Sequence, residues 1–283
     1  MSAPGERTLA SRVRLNQGPE MPWVGLGVFQ SDPGPTTERA VTWALEAGYR
    51  AIDTAAMYRN EADVGRAVRA SGVPRAEVFV TTKLWFTDHG YENALRAGRD
   101  SQERLGLGPI DLYLIHWPRA NSPQARLDSW RALEQLKEEG TCRAIGVSNY
   151  TIRHLEELRG HSSTTPAVNQ VEYHPWVHDP ELLAYVEGHG IRLEAYSPLT
   201  RGSRLDDPMV SAIGLHHGRS PAQVLIRWGL QHGIVEIPKS VHRERIVENA
   251  AVFDFVLSAQ EMAELDALRG GPRVGQTNPA TIP

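Results

Sequence analysis

One cysteine, Cys142, is all the thiol this sequence contains, which excludes an intrachain disulfide and a cysteine-based zinc centre. No apolar run approaches the ~20 residues of a membrane-spanning helix. The opening stretch MSAPGERTLASRVRL lacks the apolar core of a secretory leader. A basic excess is missing too: 30 Lys and Arg against 34 Asp and Glu leave a formal net charge of −4, the wrong sign for a nucleic-acid footprint. These absences predict a soluble, cytoplasmic protein with no nucleic-acid or membrane partner. The remainder is ordinary for a folded protein, with 23% charged and 41% apolar residues over 283 positions, enough to bury a substantial core.

Lysine is the other scarcity. Only Lys83, Lys137 and Lys239 occur, so 27 of the 30 basic residues are arginine. Lys137 sits in a polar helix end (KEEG) and reads as solvated. Lys83 and Lys239 each close an apolar strand and do not read as surface residues.

Short apolar runs alternate with amphipathic stretches along the chain. Arg12 to Pro22 reads as two extended segments around the turn Asn16-Gln17-Gly18. Strands follow at Val24–Leu26, Ile52, Val78–Thr82, Ile110–Ile115, Ala144–Val147, Ala167–Val171, Ile191–Ala195 and Ile234–Ile237. Each is followed by a helical pattern: Thr36 caps the first, Asn60 the second, and Ser220-Pro221 opens the helix after a loop that contains His216-His217. A further helix starts at the capping-box spacing Ser258 to Glu261, and a polar tail follows Gly270-Gly271-Pro272.

Eight strand–helix units with continuously apolar strands predict a (β/α)8 TIM barrel, one domain spanning 1–283, with an N-terminal β-hairpin and an extra C-terminal helix and tail. Periodicity alone does not separate this from an open doubly wound sheet. Gly25-Leu26-Gly27-Val28-Phe29-Gln30 lacks the third glycine of a dinucleotide fingerprint and reads as a tight turn.

In such a barrel the carboxyl ends of the strands converge on the face where chemistry is done. Those ends read Asp53, Lys83, His116, Ser148-Asn149, Gln170, Tyr196 and Lys239, and Tyr58 follows Asp53 by five residues. A lone aspartate after a strand is more often a turn former, and a lone tyrosine more often packs. His116 alone is as often a backbone-bonded core residue as a catalytic one. His174, His178, His216 and His217 read as structural or surface residues. Four titratable groups at one rim make the bland reading of all four untenable together.

Their chemistry is complementary. A tyrosine titrates near 10, and lowering it to about 7–8 requires stabilising the phenolate by roughly 3–4 kcal/mol. One ammonium ~4 Å away supplies about 4 kcal/mol at an effective dielectric near 20. Lys83 therefore suffices to tune Tyr58, with Asp53 keeping Lys83 charged and His116 polarising a substrate oxygen. A tuned tyrosine acid facing a carbonyl is what a reductase requires.

The segments AIDTAAMYRNE, TTKLW, DLYLIHWP, GVSN, NQVEYHP, SPL and IPKS, in this order and spacing over nearly the whole chain, resemble the aldo-keto reductases, and most of all their short bacterial members that act on diketo-sugar acids, small aldehydes and α-dicarbonyls. The resemblance implies a catalytic tetrad of Asp53, Tyr58 (proton donor), Lys83 and His116, and NADPH as cofactor. It implies that Ser148, Asn149 and Gln170 bond the nicotinamide amide, that Tyr196 stacks on the ring, and that Ser197 and Leu199 line the pyrophosphate. Lys239, Ser240 and Arg245 would take the 2′-phosphate and Glu248 and Asn249 the adenine, with Gly27, Val28, Asp53 and Val241 completing the cofactor set. Phe29, Trp85, His116, Trp117 and the tail would wall the substrate pocket, and the family habit is monomeric. Arg59 departs from the glycine many relatives carry; it points either to solvent or toward an anionic substrate. The loops after His116 and Tyr196 read as short, which implies an open pocket and broad substrate use. Two other readings stand beside this one: a barrel lyase forming a Schiff base on Lys83, and a non-catalytic NADPH-binding redox sensor.

Overall fold

In the computed structural model, residues 7–275 and 277–282 are described. The chain begins with an antiparallel hairpin, β1 (Arg12–Arg14) and β2 (Glu20–Pro22), turning at Gly18 with φ +110°. Gln17 at its tip donates to the carbonyls of Ile145 (3.1 Å) and Thr165 (2.9 Å) and accepts from the Ile145 amide (3.1 Å). The hairpin is thereby tied to one of the parallel strands that follow and to the loop leading into its neighbour.

Those strands are β3 (Leu26–Gly27), β4 (Ala51–Asp53), β5 (Phe79–Leu84), β6 (Ile110–Ile115), β7 (Cys142–Ser148), β8 (Val168–Glu172), β9 (Arg192–Tyr196) and β10 (Val235–Glu236). They pair in parallel and in sequence order. β5 and β6 are buried at every residue, the mark of strands covered on both faces. The sheet closes where the chain before β3 meets the end of β10, through parallel bridges Val24–Glu236 and Gly27–Lys239. Across this seam the Gly25 amide donates to the Glu236 carbonyl (2.9 Å) and the Gly27 amide to the Pro238 carbonyl (3.1 Å). A Cβ on Gly27 would stand 3.0 Å from the Ile237 carbonyl oxygen. These glycines thus serve close strand approach at the barrel seam and not the tight turn expected from the sequence.

Ten helices follow in order among the described residues: α1 (Pro35–Glu46), α2 (Glu61–Ala70), α3 (Tyr91–Leu105), α4 (Pro123–Glu138), α5 (Ile152–His161), α6 (Pro180–Gly188), α7 (Pro208–His217), α8 (Pro221–Gln231), α9 (Arg243–Ala250) and α10 (Ala259–Asp266). Proline at the first position starts several of them, since its missing N–H is one the helix leaves unbonded anyway. Ser220 with Gln223 and Ser258 with Glu261 form capping boxes.

Three local expectations give way. α1 begins at Pro35 behind Gly34, and the next threonine, Thr37, donates to the Asp32 carbonyl (2.8 Å) with its hydroxyl oxygen 2.9 Å from Ser31 Oγ. Asn60 precedes α2 but caps nothing with its side chain: it accepts from Thr54 Oγ1 (2.7 Å) and donates to the Val28 carbonyl (3.0 Å), tying β4 to the loop after β3. The stretch before Ser220 holds a helix, α7, that buries Val210, Ile213 and Gly214. Cys142 is buried at the start of β7, and burial pushes its thiol up to about 12. No helix among the described residues is long and apolar enough to cross a membrane.

Candidate active site

The strand ends surround a cleft of about 910 Å³. Its floor is built on Lys83, whose side chain is 0% exposed. An ammonium has three N–H groups, and here three acceptors meet them: Asp53 Oδ1 at 2.6 Å, the Thr54 carbonyl at 2.9 Å and Tyr58 Oη at 3.4 Å. Tyr58 reaches this point because a 3₁₀ turn, Ala56–Tyr58, folds the chain back at the end of β4. The Tyr58 ring lies edge-on to His116 at 5.6 Å and beside Phe29 at 5.0 Å; Trp85 lies edge-on to His116 at 5.1 Å.

Electrostatics assign a protonation state to each group. Burial pulls the Lys83 ammonium down, but Asp53 first, then Tyr58 and Glu194, outweigh it and hold the lysine above its ordinary value. Burial, aided by Lys83, pushes His116 well below its ordinary value, so the imidazole is neutral. Its Nδ1 is buried without a hydrogen-bond partner, which leaves Nε2 as the nitrogen facing the cleft.

Burial pushes the Tyr58 phenol up to about 12; Lys83 pulls the other way, with Asp53 and Glu194 opposing it. The expectation that one ammonium brings this phenol toward neutrality is overturned. It counted the attraction and omitted both desolvation of the phenolate and the carboxylates behind the lysine. Tyr58 carries its proton throughout the neutral range.

Glu194, on β9, went unread in the sequence. Gln170 Nε2 donates to Asp53 Oδ2 (2.8 Å) and to Glu194 Oε2 (2.7 Å), joining the two buried acids. Burial, then the Asp53 charge, push Glu194 up to about 8 against the Gln170 bond and Lys83. A signal was present: an acid between Leu193 and Ala195 breaks an apolar strand as Lys83 does.

The other predicted residues separate into two groups. Gly27, Asn149, Gln170, Tyr196, Ser197 and Leu199 line the cleft, and so do Lys239, Ser240, Val241, Arg245, Glu248 and Asn249, with Lys239 bridged to Gly27 across the seam. Val28 and Ser148 are buried behind the wall. Ser148 Oγ accepts from Asn149 Nδ2 (3.1 Å), which also donates to the His116 carbonyl (2.9 Å), and Tyr196 Oη donates to Asn149 Oδ1 (2.9 Å). Lys239 is exposed on the cleft wall, contrary to the expectation of an inward-facing residue. The side chain of neither Lys239 nor Arg245 makes a salt bridge or hydrogen bond among the described residues.

Phe29, Trp85 and Trp117 line the cleft as expected, joined by Phe86, Arg119 and Arg201. Gly275 and Thr277 bring the tail to the wall. Glu172 fixes that tail by accepting from the amides of Val274 (2.6 Å) and Gly275 (3.3 Å). The segment after Tyr196 is not a bare short loop: Ser197, Thr200 and Arg201 all hold positive φ before α7 begins. Arg59 lies outside the cleft. It lines a separate cavity of about 420 Å³ with Glu61, Asp88, Arg96, Asp100 and Arg104.

Comparison with known proteins gives the family and the fold. Residues 24–269 match the model of the Aldo/keto reductase family. The glyoxal reductase of Bacillus subtilis (strain 168) is 50% identical over 268 residues, 95% of this chain and 96% of that one. An aldo/keto reductase structure from Brucella melitensis superposes with a TM-score of 0.87 at 44% identity, covering 91% of this chain and 99% of that one. The Bombyx mori aldo-keto reductase, solved in complex with NADP, gives a TM-score of 0.88 at 36% identity over 95% of this chain and 96% of its own.

Proposed function

Because this chain belongs to the aldo/keto reductase family and is an oxidoreductase, we propose that it reduces aldehydes and ketones to alcohols with NADPH, with Tyr58 as the proton donor. The observation that carries the reading is the Lys83 ammonium, held by Asp53 at 2.6 Å and reaching Tyr58 Oη at 3.4 Å, buried behind a cleft that Asp53, Tyr58 and His116 line.

The cofactor fits the cleft wall that carries Lys239 and Arg245. Neither side chain is tied up in a salt bridge among the described residues, and the two cations suit a phosphate monoester. Ser240 and Asn249 line the same cleft. When bound, NADPH supplies the hydride. The protein's part is to orient and to move a proton. His116 Nε2–H donates to the carbonyl oxygen and polarises it, which a neutral imidazole does without adding a positive charge beside Lys83. Tyr58 Oη, protonated at neutral pH, passes its proton to that oxygen as it becomes an alkoxide. The phenolate left behind is stabilised by the adjacent ammonium, which Asp53 keeps charged. Small aldehydes, α-dicarbonyls, keto-sugars and aromatic aldehydes are the substrate classes we assign to a cleft walled by Phe29, Trp85 and Trp117, and the protein is read as a monomer. A Schiff-base role for Lys83 is disfavoured, because its nitrogen is sealed, charged and bonded to three acceptors.

Tyr58→Phe tests the reading. The variant should bind NADPH with nearly unchanged affinity by fluorescence titration and lose turnover on every aldehyde and ketone. Retention of more than a small fraction of kcat would remove Tyr58 from the donor role.

A further inference from the structure

Away from the cleft, two histidines and a carboxylate meet where α7 ends against α10. His216 Nδ1 lies 2.9 Å from Glu261 Oε1, and His217 Nε2 lies 2.9 Å from the same oxygen and 3.1 Å from Oε2. One ligand atom from each residue falls within 4.8 Å of the other two. None of the three lines the cleft.

We propose that His216, His217 and Glu261 form a surface site for a borderline divalent cation of the Zn2+ or Cu2+ class, clasping the end of α7 to the first turn of α10, with water completing the coordination. Two imidazole nitrogens and one carboxylate oxygen are the donor set such ions prefer over the all-oxygen sets of Mg2+ and Ca2+. Bonds of about 2.0–2.2 Å at tetrahedral angles place ligand atoms roughly 3.3–3.5 Å apart. The nitrogen–oxygen spacings need to open by only a few tenths of an ångström, and the remaining adjustment falls on His216, whose side chain is 73% exposed and free to turn.

The rest of the set is held in place. His217 is 17% exposed and packs against the Phe255 ring at 5.5 Å. Glu261 Oε2 accepts the Ser258 amide at 2.7 Å, so the capping box that starts α10 also orients the carboxylate, as outer partners do for metal ligands. Arg219, two residues beyond His217, is paired with Asp254 at 2.6 Å. Each ring binds as the neutral imidazole, keeping its proton on the nitrogen that turns away from the ion.

The test uses the full chain without a polyhistidine tag, dialysed against ZnCl2 and analysed for bound metal, with Cu2+ as a paramagnetic probe. Wild type should take up one zinc per chain with micromolar affinity, raise its Tm with zinc concentration, and show two nitrogen couplings on Cu2+. His216→Ala removes a largely exposed side chain and leaves folding intact. It should weaken zinc by at least about tenfold, the effect that losing even an outer partner typically has, abolish the Tm rise and leave one nitrogen coupling. Absence of saturable binding in the wild type, or binding unchanged in both His216→Ala and His217→Ala, overturns the proposal.

Discussion

Gln170 and Glu194 are register partners on β8 and β9, and the amide of the first donates to the carboxyl of the second at 2.7 Å. The same amide also holds Asp53, so a second acid stands behind the Asp53–Lys83 pair with no room for a second negative charge. This makes Glu194 a source of pH dependence. Its folded value, about 8, lies above the ordinary carboxylate value of 4.5. Between those two values the unfolded chain gives up the Glu194 proton while the folded chain keeps it, so stability falls as pH rises through this window. Glu194→Gln removes the effect. Its Tm advantage over wild type should grow from pH 5 to pH 8, and a difference that stays flat with pH would show that Glu194 is ionised throughout.

Lys83→Met should be costly for the fold as well as for the reaction. It strands Asp53, 5% exposed in its side chain, without its counter-charge; breaking a buried pair on one side typically costs 3–5 kcal/mol. Adding Asp53→Asn should restore part of that loss in urea denaturation. Additive losses in the double variant would mean the pair is not coupled.

Lys239→Ala and Arg245→Ala test the cofactor assignment. Each should raise KM for NADPH by about 10–100-fold, the worth of one hydrogen bond to a charged group, while KM for NADH changes little. Equal effects on both cofactors would place the 2′-phosphate elsewhere.

Arg59 holds the left-handed conformation, φ 59°, where a side chain costs roughly 1–2 kcal/mol relative to glycine. It lines the second cavity, and its side chain makes no hydrogen bond or salt bridge among the described residues. Arg59→Gly should therefore raise Tm by about 2–4 °C and leave kcat/KM for neutral and anionic substrates alike. A selective loss on anionic substrates would return Arg59 to the site.

Sequence reasoning reached the barrel and the residues at its strand ends because both are written in local pattern: eight apolar runs, seven of them closed by a polar residue. It failed where the outcome depends on what surrounds a group. Tyr58 was assigned a pull from Lys83, but burial and the acids beyond that lysine are tertiary facts. Asn60 has a good capping identity and is diverted to Thr54 and Val28 by contacts from another loop. α7 was missed because its flanks, Asp206-Asp207-Pro208 and Gly218, read as loop, although Val210 and Ile213 already had helical spacing. Arg59 had two possible directions, and the turn at Ala56–Tyr58 decided between them.

Cys142 offers a last consequence. Being the sole thiol, buried, and pushed up to about 12, it presents almost no thiolate to solvent at neutral pH, so the chain is silent to disulfide exchange and to thiol reagents. A cysteine placed at exposed Leu215, on α7, would be the only labelling point. A probe there reports whether the end of that helix tightens when a cation arrives, with no background from the rest of the molecule.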